Sequence, residues 1–334
     1  DGIWDFALDH GDPDRPGLPY KYLIELKEKV KNNIKIYEKT RCVSIDTKDG
    51  YYLARTLDNY VIKSKIIIVT THYPIFIVPY FIPFKTEVKK FFLVAGEVKS
   101  KKDVQILSNG NPSISMRYYS DKENNYFIYG RNSHSTTKKL DIRDDYRTIT
   151  EEYKTFFKKE ANFFFHTHDL MTYDDMPLIG EVKPNLYIAT GFNKWGNTNG
   201  TISGKIISDL IIKKENKYCE IFSPKRGLSL DKIKNIPLFN FNIGIRYIRN
   251  KLNSKMKYYD NKVIIKNIKG QRCGIYIDEK NKSHIVSNIC PHMKCNLVFN
   301  YIDKTWDCPC HSSRFDIDGN VIYGPSVYDI KIQD

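Results

Sequence analysis

Two short clusters near the C-terminus, Cys290-Pro-His292-Met-Lys-Cys295 and Cys308-Pro-Cys310-His311-Ser-Ser, constrain this chain more than any other feature. Each offers one thiolate and one imidazole at fixed spacing, Cys-x-His in the first and Cys-x-x-His in the second. Two irons bridged by two sulfides need four terminal ligands of this kind. A structural zinc ion also takes two Cys and two His, in a tetrahedral shell. Zinc modules usually separate their first two ligands by two to four residues, which the single-residue Cys290-x-His292 gap does not match. Zinc would also leave Cys295 and Cys310 without a role.

The segment resembles a Rieske [2Fe–2S] domain. That resemblance implies Cys290 and Cys308 on one iron and His292 and His311 on the other. It also implies a disulfide between Cys295 and Cys310, the pair that joins the two cluster-bearing loops in Rieske proteins of the cytochrome bc type. Trp306 and Asp307 before the second loop and Arg314, Phe315 and Gly319 after it agree, and Gly324-Pro325 is placed to be the third loop over the cluster. Hydrogen bonds to cluster sulfur raise the potential by stabilising the reduced state. Ser313 matches a serine that makes such a bond in high-potential members, whereas Phe315 replaces a tyrosine and has no hydroxyl, so a lower potential is expected. Lys294 and Ser312 stand where glycines are common, and Lys294 sets a positive charge near the cluster.

With 334 residues, 41% of them apolar, the chain has material for two or three cores. It contains no run of eighteen apolar residues and no signal-peptide pattern, so a soluble, cytoplasmic protein is expected. Cys42, Cys219 and Cys273 are isolated and read as small buried apolar residues.

A second motif runs Asp174-Asp175-Met176-Pro177-Leu178-Ile179-Gly180, then Asn185-Leu-Tyr-Ile-Ala-Thr190-Gly191-Phe192-Asn193-Lys194-Trp195-Gly196-Asn197-Thr198-Asn199-Gly200. A short strand, Leu186 to Ala189, enters a glycine-rich turn, and Ile202, Ile206, Leu210 and Ile211 then repeat at near-helical spacing. The phrase resembles the flavin-binding signature of the D-amino-acid oxidase and glycine oxidase superfamily, in the subgroup fused to a C-terminal Rieske domain. A helix N-terminus set against the flavin edge favours the negative charge of the reduced ring. The resemblance implies FAD contacts at Gly191, Phe192, Lys194, Trp195, Gly196, Thr198, Asn199 and Gly200. Upstream it implies further contacts at Cys42, Thr70 and Thr71.

Between Leu18 and Ile45 a helix with Tyr20, Leu23, Leu26 and Val30 on one face is expected, with a strand over Lys35 to Cys42. Tyr51 to Ala54 and Val61 to Ile62 read as hairpin strands, and Lys65 to His72 as a buried parallel strand. Strands are expected over Phe91 to Val98, Ile114 to Tyr119 and Tyr126 to Gly130. A helix is expected from Tyr146 to Phe163, with Tyr153, Phe156 and Phe157 on one face. Arg131, His134 and His168 are polar residues of this region and read as surface groups. The strand–G-x-G-x-x-G–helix that holds FAD pyrophosphate is absent from these residues, and the first residue is Asp1. The resemblance therefore implies a fragment whose parent carries on the order of 150 more residues, and poor FAD binding by the chain alone.

The expected fold is a multidomain α+β/α/β chain: a partial FAD-binding Rossmann-like domain with an antiparallel substrate sheet, then a small all-β Rieske domain. The first domain spans 1–222, with flavin-binding parts at about 1–84 and 165–222 and the sheet and helix at about 85–164. A basic linker covers 223–258 and the Rieske domain 259–334. The formal net charge is +14, and residues 223–260 hold nine basic against two acidic side chains. Phe241, Ile245, Ile248 and Leu252 predict an amphipathic helix there.

The resemblance implies an FAD-dependent oxidoreductase acting on an amine or amino acid. Electrons would pass between the flavin and the [2Fe–2S] centre, in either direction, and on to a redox partner protein or small carrier. No nucleic-acid module is present, and membrane contact is not expected. The alternative is a non-catalytic Rieske electron carrier on a degenerate flavoprotein scaffold.

Overall fold

The computed structural model describes residues 19–74, 82–99, 105–108, 112–120, 124–136, 142–227, 257–259 and 262–332. The helix expected over Phe241 to Leu252 lies outside them. Helix α1 spans Pro19–Val30. Two residues of its expected apolar face stay outward, Leu23 56% and Leu26 41% exposed. The strand expected over Lys35 to Cys42 does not form, and pairing begins instead with β1 (Cys42–Lys48) against β2 (Tyr51–Thr56). The turn sets this register: Asp49 and Gly50 both take positive φ, 51° and 74°, as a two-residue hairpin loop requires. Strand β3 (Val61–Ser64) completes the sheet, and β4 (Ile67–Val69) follows.

Next come β5 (Thr86–Glu97), β6 (Gln105–Leu107), β7 (Ile114–Ser120), β8 (Asn125–Ser135), α2 (Arg143–Phe157) and β9 (Phe163–Thr172). The strands form an antiparallel sheet in the order β6-β7-β8-β5-β9. Helix α2 packs Tyr146, Ile149 and Tyr153 on Phe92, Val94 and Tyr129 of the sheet. It stops at Phe157, where Lys158 turns left-handed (φ 54°). The aromatic run from Phe163 pairs with β5 instead of extending the helix, and Phe156 is 55% exposed rather than on the packed face.

After β10 (Leu178–Lys183), β11 (Leu186–Thr190) and α3 (Gly196–Ile211), the chain has built a second sheet in which β11 pairs antiparallel with β10 and parallel with β4. Ile206 and Ile207 of α3 cover Ile179, Tyr187 and Ala189. The remaining strands make two four-stranded sheets, β12 (Lys257–Tyr259), β13 (Val263–Ile268), β14 (Gln271–Ile277) and β15 (Ser283–Ser287), then β16 (Val298–Asn300), β17 (Thr305–Asp307), β18 (Arg314–Phe315) and β19 (Val321–Tyr323). Val263, Val286, Trp306 and Phe315, all 0% exposed, form their shared core. The architecture is thus the expected one, an α/β domain with an antiparallel sheet followed by an all-β module. Cys273 is buried as expected, but Cys42 and Cys219 are only partly so.

Candidate functional site

The two Cys/His clusters occupy the loops β15–β16 and β17–β18, which close in the same way. Lys294 N–H donates to the Cys290 carbonyl and Ser312 N–H to the Cys308 carbonyl, each at 2.9 Å. Lys294 and Ser312 both take positive φ, 57° and 66°, a conformation that costs glycine least. Cys295 and Cys310 are bonded across the loops, with S–S 2.07 Å. Cys308 also lies within reach of their sulfurs. A sulfur spent in a disulfide is no thiolate ligand, so that trio is not a metal shell.

The donors left over are Cys290 and Cys308, both buried free thiols, and His292 and His311. The two imidazoles stand 5.0 Å apart between centroids, almost perpendicular at 87°. Nδ1 of each is buried without a hydrogen-bond partner, which suits a nitrogen that ligates a metal. Burial draws His292 down to about 4 and, with the neighbouring His292 charge, His311 to about 3. Both are therefore neutral at pH 7, the form that binds metal. A hydrogen bond from the Cys308 thiol draws the Cys290 thiol below its ordinary value against its burial, helped by the His292 and Met293 N–H groups and the Ser313 hydroxyl. Ser326 N–H, in the Gly324-Pro325 loop, donates in turn to Ser313 Oγ at 2.9 Å. Two acidified or buried thiols and two neutral imidazoles with open Nδ1 atoms fit an iron–sulfur cluster.

On the α/β side a cavity of about 850 Å³ is lined by Thr70, His72, Thr190, Gly191, Phe192, Gly196 and Gly200, together with Leu23 and Leu26 of α1. The apolar face of α1 therefore borders this space instead of a core. Gly191 takes φ 68°, and a Cβ there would meet Thr172 Cγ2 at 2.6 Å. A smaller cavity of about 390 Å³ lies over the antiparallel sheet, with Phe91, Leu93, Thr167, Asp169, Lys194 and Trp195 in its wall. Lys194 Nζ lies 4.5 Å from the Phe91 ring centroid. Burial pushes Asp169 up to about 6, against the pull of Lys194.

The structure thus brings Thr70, Gly191, Phe192, Gly196 and Gly200 to the large cavity and Lys194 and Trp195 to the small one. Cys42, Thr71, Thr198 and Asn199 line neither. Cys42 is in β1, and Thr71 Oγ1 donates to the Tyr73 carbonyl at 2.9 Å. Thr198 is exposed on the first turn of α3, and Asn199 Nδ2 donates to the Phe192 carbonyl at 2.9 Å.

Three residues read as surface groups are not at the surface. Arg131 pairs with Glu152, and His134 stands 3.4 Å from Asp145 in a nearly buried contact. His168 is 6% exposed. His168 borders a polar layer between the antiparallel sheet and the β-module, near His166, Lys90 and Arg314. His166, with a fully buried side chain, meets Asp303 at 2.9 Å and Asp307 at 3.8 Å. Arg314 holds Asp303 at 2.5 Å and Asp307 at 3.1 Å, and Lys90 is buried beside them. Arg41 adds contacts to Asp329 (3.0 Å) and the Val327 carbonyl (3.1 Å).

Sequence reasoning missed Asp169, this polar layer and Tyr73. Tyr73 is 5% exposed, and its ring centroid lies 5.4 Å from that of His311 and 6.1 Å from that of His292. The layer did leave a signal. Lys90 occupies an inward position in the alternation Thr86, Val88, Lys90, Phe92, and His166 and His168 share a face with Leu170 and Thr172.

Scaffold and loops together define a flavoprotein-type oxidoreductase joined to an iron–sulfur module. Residues 17–210 match the family of FAD dependent oxidoreductases and residues 251–332 the Rieske [2Fe-2S] domain. The chain belongs to the FAD dependent oxidoreductase family and carries a C-terminal Rieske domain; the cofactors of these two domains are FAD and a [2Fe–2S] cluster. It is similar to YhfW of Bacillus subtilis, whose given name is that of a Rieske 2Fe-2S iron-sulfur protein, with 30% identity over 94% of this chain. The chain spans 63% of that relative's length. Its β-module is similar to a cytochrome b6-f complex iron-sulfur subunit of Nostoc punctiforme, 32% identical over 19% of this chain and 36% of the subunit. The fold is similar to L-proline dehydrogenase from P. horikoshii, with TM-score 0.52 and 17% identity, covering 63% of this chain and 60% of that one. No helix among the described residues is long and apolar enough to cross a membrane.

Proposed function

We propose that the protein oxidises a small amine or amino acid at FAD and exchanges the electrons with a [2Fe–2S] cluster held by Cys290, Cys308, His292 and His311, which serves a redox partner protein or small carrier. The observation that carries this reading is the segment Thr70 to Tyr73. Thr70 and His72 line the large cavity, and Tyr73 lies against both imidazoles. Three Cα steps of 3.80 Å limit the Thr70–Tyr73 span to about 11 Å. When bound, FAD takes electrons from substrate in pairs and the cluster carries them singly.

The chain's own residues supply the setting. The N-terminal turn of α3 lines the large cavity through Gly196 and Asn197, and the positive end of its dipole favours negative charge there. In the smaller cavity, Asp169 suits an ammonium group and Lys194 a carboxylate, with Phe91 and Trp195 as apolar walls. The Cys295–Cys310 bond and the Ser326–Ser313–Cys290 chain hold the loops around the ligand atoms.

The test is low-temperature EPR of the anaerobically purified, dithionite-reduced protein, with iron and zinc quantified on the same sample. The expected result is a rhombic signal with an average g below that of an all-thiolate ferredoxin. In His311→Cys that signal moves toward the all-thiolate form or disappears. An EPR-silent sample with one zinc per chain overturns the iron–sulfur reading. Photoreducing the flavin in the flavin-loaded protein should then produce the cluster signal. A reduced flavin beside a silent cluster overturns electron exchange, and a chain with a normal cluster that never takes up flavin is the non-catalytic carrier.

A further inference from the structure

The resemblance implied an FAD contact at Lys194, yet this residue lines the small cavity of about 390 Å³ over the antiparallel sheet. Its neighbour puts it there. Asn193 and Lys194 both take positive φ, 51° and 71°, a conformation that residues other than glycine keep only where the surroundings impose it. Asn193, 7% exposed, supplies that constraint. Its Oδ1 accepts the Thr172 N–H at 2.7 Å, and its Nδ2 donates to Thr172 Oγ1 and to the Gly191 carbonyl, each at 2.9 Å. Its own N–H donates to the Leu170 carbonyl at 3.3 Å. The turn is thus clamped to the end of β9, the strand that carries Asp169. Asp169 and Lys194 line the same cavity and each feels the other's charge, yet among the described residues they form no ion pair with each other. Charges taken out of water are ordinarily paired, so a cavity that keeps both signs apart suits a ligand that carries both. Phe91, Leu93, Leu107 and Ile114 supply apolar surface beside them.

We infer that the small cavity selects α-amino acids with an apolar side chain over simple amines: Lys194 takes the carboxylate, Asp169 the ammonium group, and Asn193 is the positioning residue that holds Lys194 in place. A lysine ammonium is a point charge on a flexible stem, so it reads a carboxylate selectively only when that stem is held. Two features hold it here. One is the left-handed backbone at its root, fixed by Asn193. The other is the Phe91 ring, whose centroid lies 4.5 Å from Nζ and attracts the cation. A simple amine leaves Lys194 without a partner, and a simple carboxylate does the same to Asp169. A polar group left unpaired in such a site is what rejects the wrong ligand.

The inference deepens the amine or amino-acid reading above and rests on the small cavity being its substrate site; it does not depend on the cluster. The experiment is anaerobic titration calorimetry of the full chain with three probes, flavin content being measured on each sample. α-Methylleucine carries both charges and, lacking an α-hydrogen, is not oxidised. Isoamylamine and isocaproate are the leucine skeleton without the carboxylate and without the amine. We expect α-methylleucine to bind about ten- to a hundredfold more tightly than either, the value of one further hydrogen bond between charged groups. Lys194→Met removes the advantage over isoamylamine, and Asp169→Asn the advantage over isocaproate. Asn193→Gly keeps the left-handed backbone accessible but drops the clamp, so it loses the advantage over isoamylamine and retains that over isocaproate. Three probes that bind alike, or none that binds, overturn the inference while the cluster signal and its photoreduction stand. Variants that weaken all three probes equally assign these residues to packing and overturn it as well. Loss of flavin from Lys194→Met with the probe preference intact returns Lys194 to the cofactor and ends its role here.

Discussion

Gly274 in β14 lies directly under the indole of Trp306, and a Cβ there would stand 2.4 Å from the ring. Trp306 is 0% exposed and precedes the second cluster loop by two residues. Gly274→Ala must therefore push the indole, at a cost of about 1–3 kcal/mol for overpacking a filled core. Thermal unfolding of wild type and variant side by side measures this, and an unchanged Tm means the indole has room to move. At this scale the sequence was informative wherever chemistry demands a spacing. The Cys/His clusters stand out because metal ligands must come from short, fixed turns. Asp169 and Tyr73 carry no such mark, since their roles come from neighbours far away in the chain.

Between β9 and β10 the turn at Asp174–Pro177 is held by one side chain from beyond α3. Arg226 pairs with both Asp174 oxygens, at 2.7 and 2.9 Å, and donates to the Met176 and Pro177 carbonyls at 2.5 and 3.0 Å. Burial alone would raise Asp174, but the hydrogen bonds and charge of Arg226 outweigh it and hold the carboxyl below its usual range. A depressed carboxyl stabilises the fold above the unfolded value, about 3.9, and loses that contribution as pH falls through the folded value. Arg226→Met should cost about 1.5–3 kcal/mol at pH 7, with the gap to wild type narrowing below about pH 4. Denaturant melts at pH 7 and pH 3 test this, and a gap that stays constant assigns the loss to packing. Local patterns located most elements but misjudged two ends. The stretch Lys35 to Cys42 reads as a strand, yet the Asp49-Gly50 turn fixes β1 later. The aromatic residues after Phe157 look helical until their pairing with β5 is known.

Across the whole molecule, the decisive contact is the polar layer between the antiparallel sheet and the Rieske module. His166 is drawn down by burial despite its Asp303 bond, so it is a neutral imidazole whose Nδ1–H is donated to Asp303 across the domain boundary. His166→Phe keeps the volume and removes that donor, leaving a buried carboxylate short of a partner at about 1–3 kcal/mol. Hydrogen exchange at residues 300–307 should accelerate while the cluster's g values stay put. Unaltered exchange there would show that the layer does not fasten the domains. That two such domains share one chain could be read from two family phrases. How they face each other could not, because contacts between separately folded units leave no periodicity in either.

Tyr73 closing over the imidazoles also decides which side of the ligand loops meets water. With Tyr73 5% and His311 7% exposed, solvent is kept from that imidazole edge, whereas Met293, 53% exposed beside His292, stays open to it.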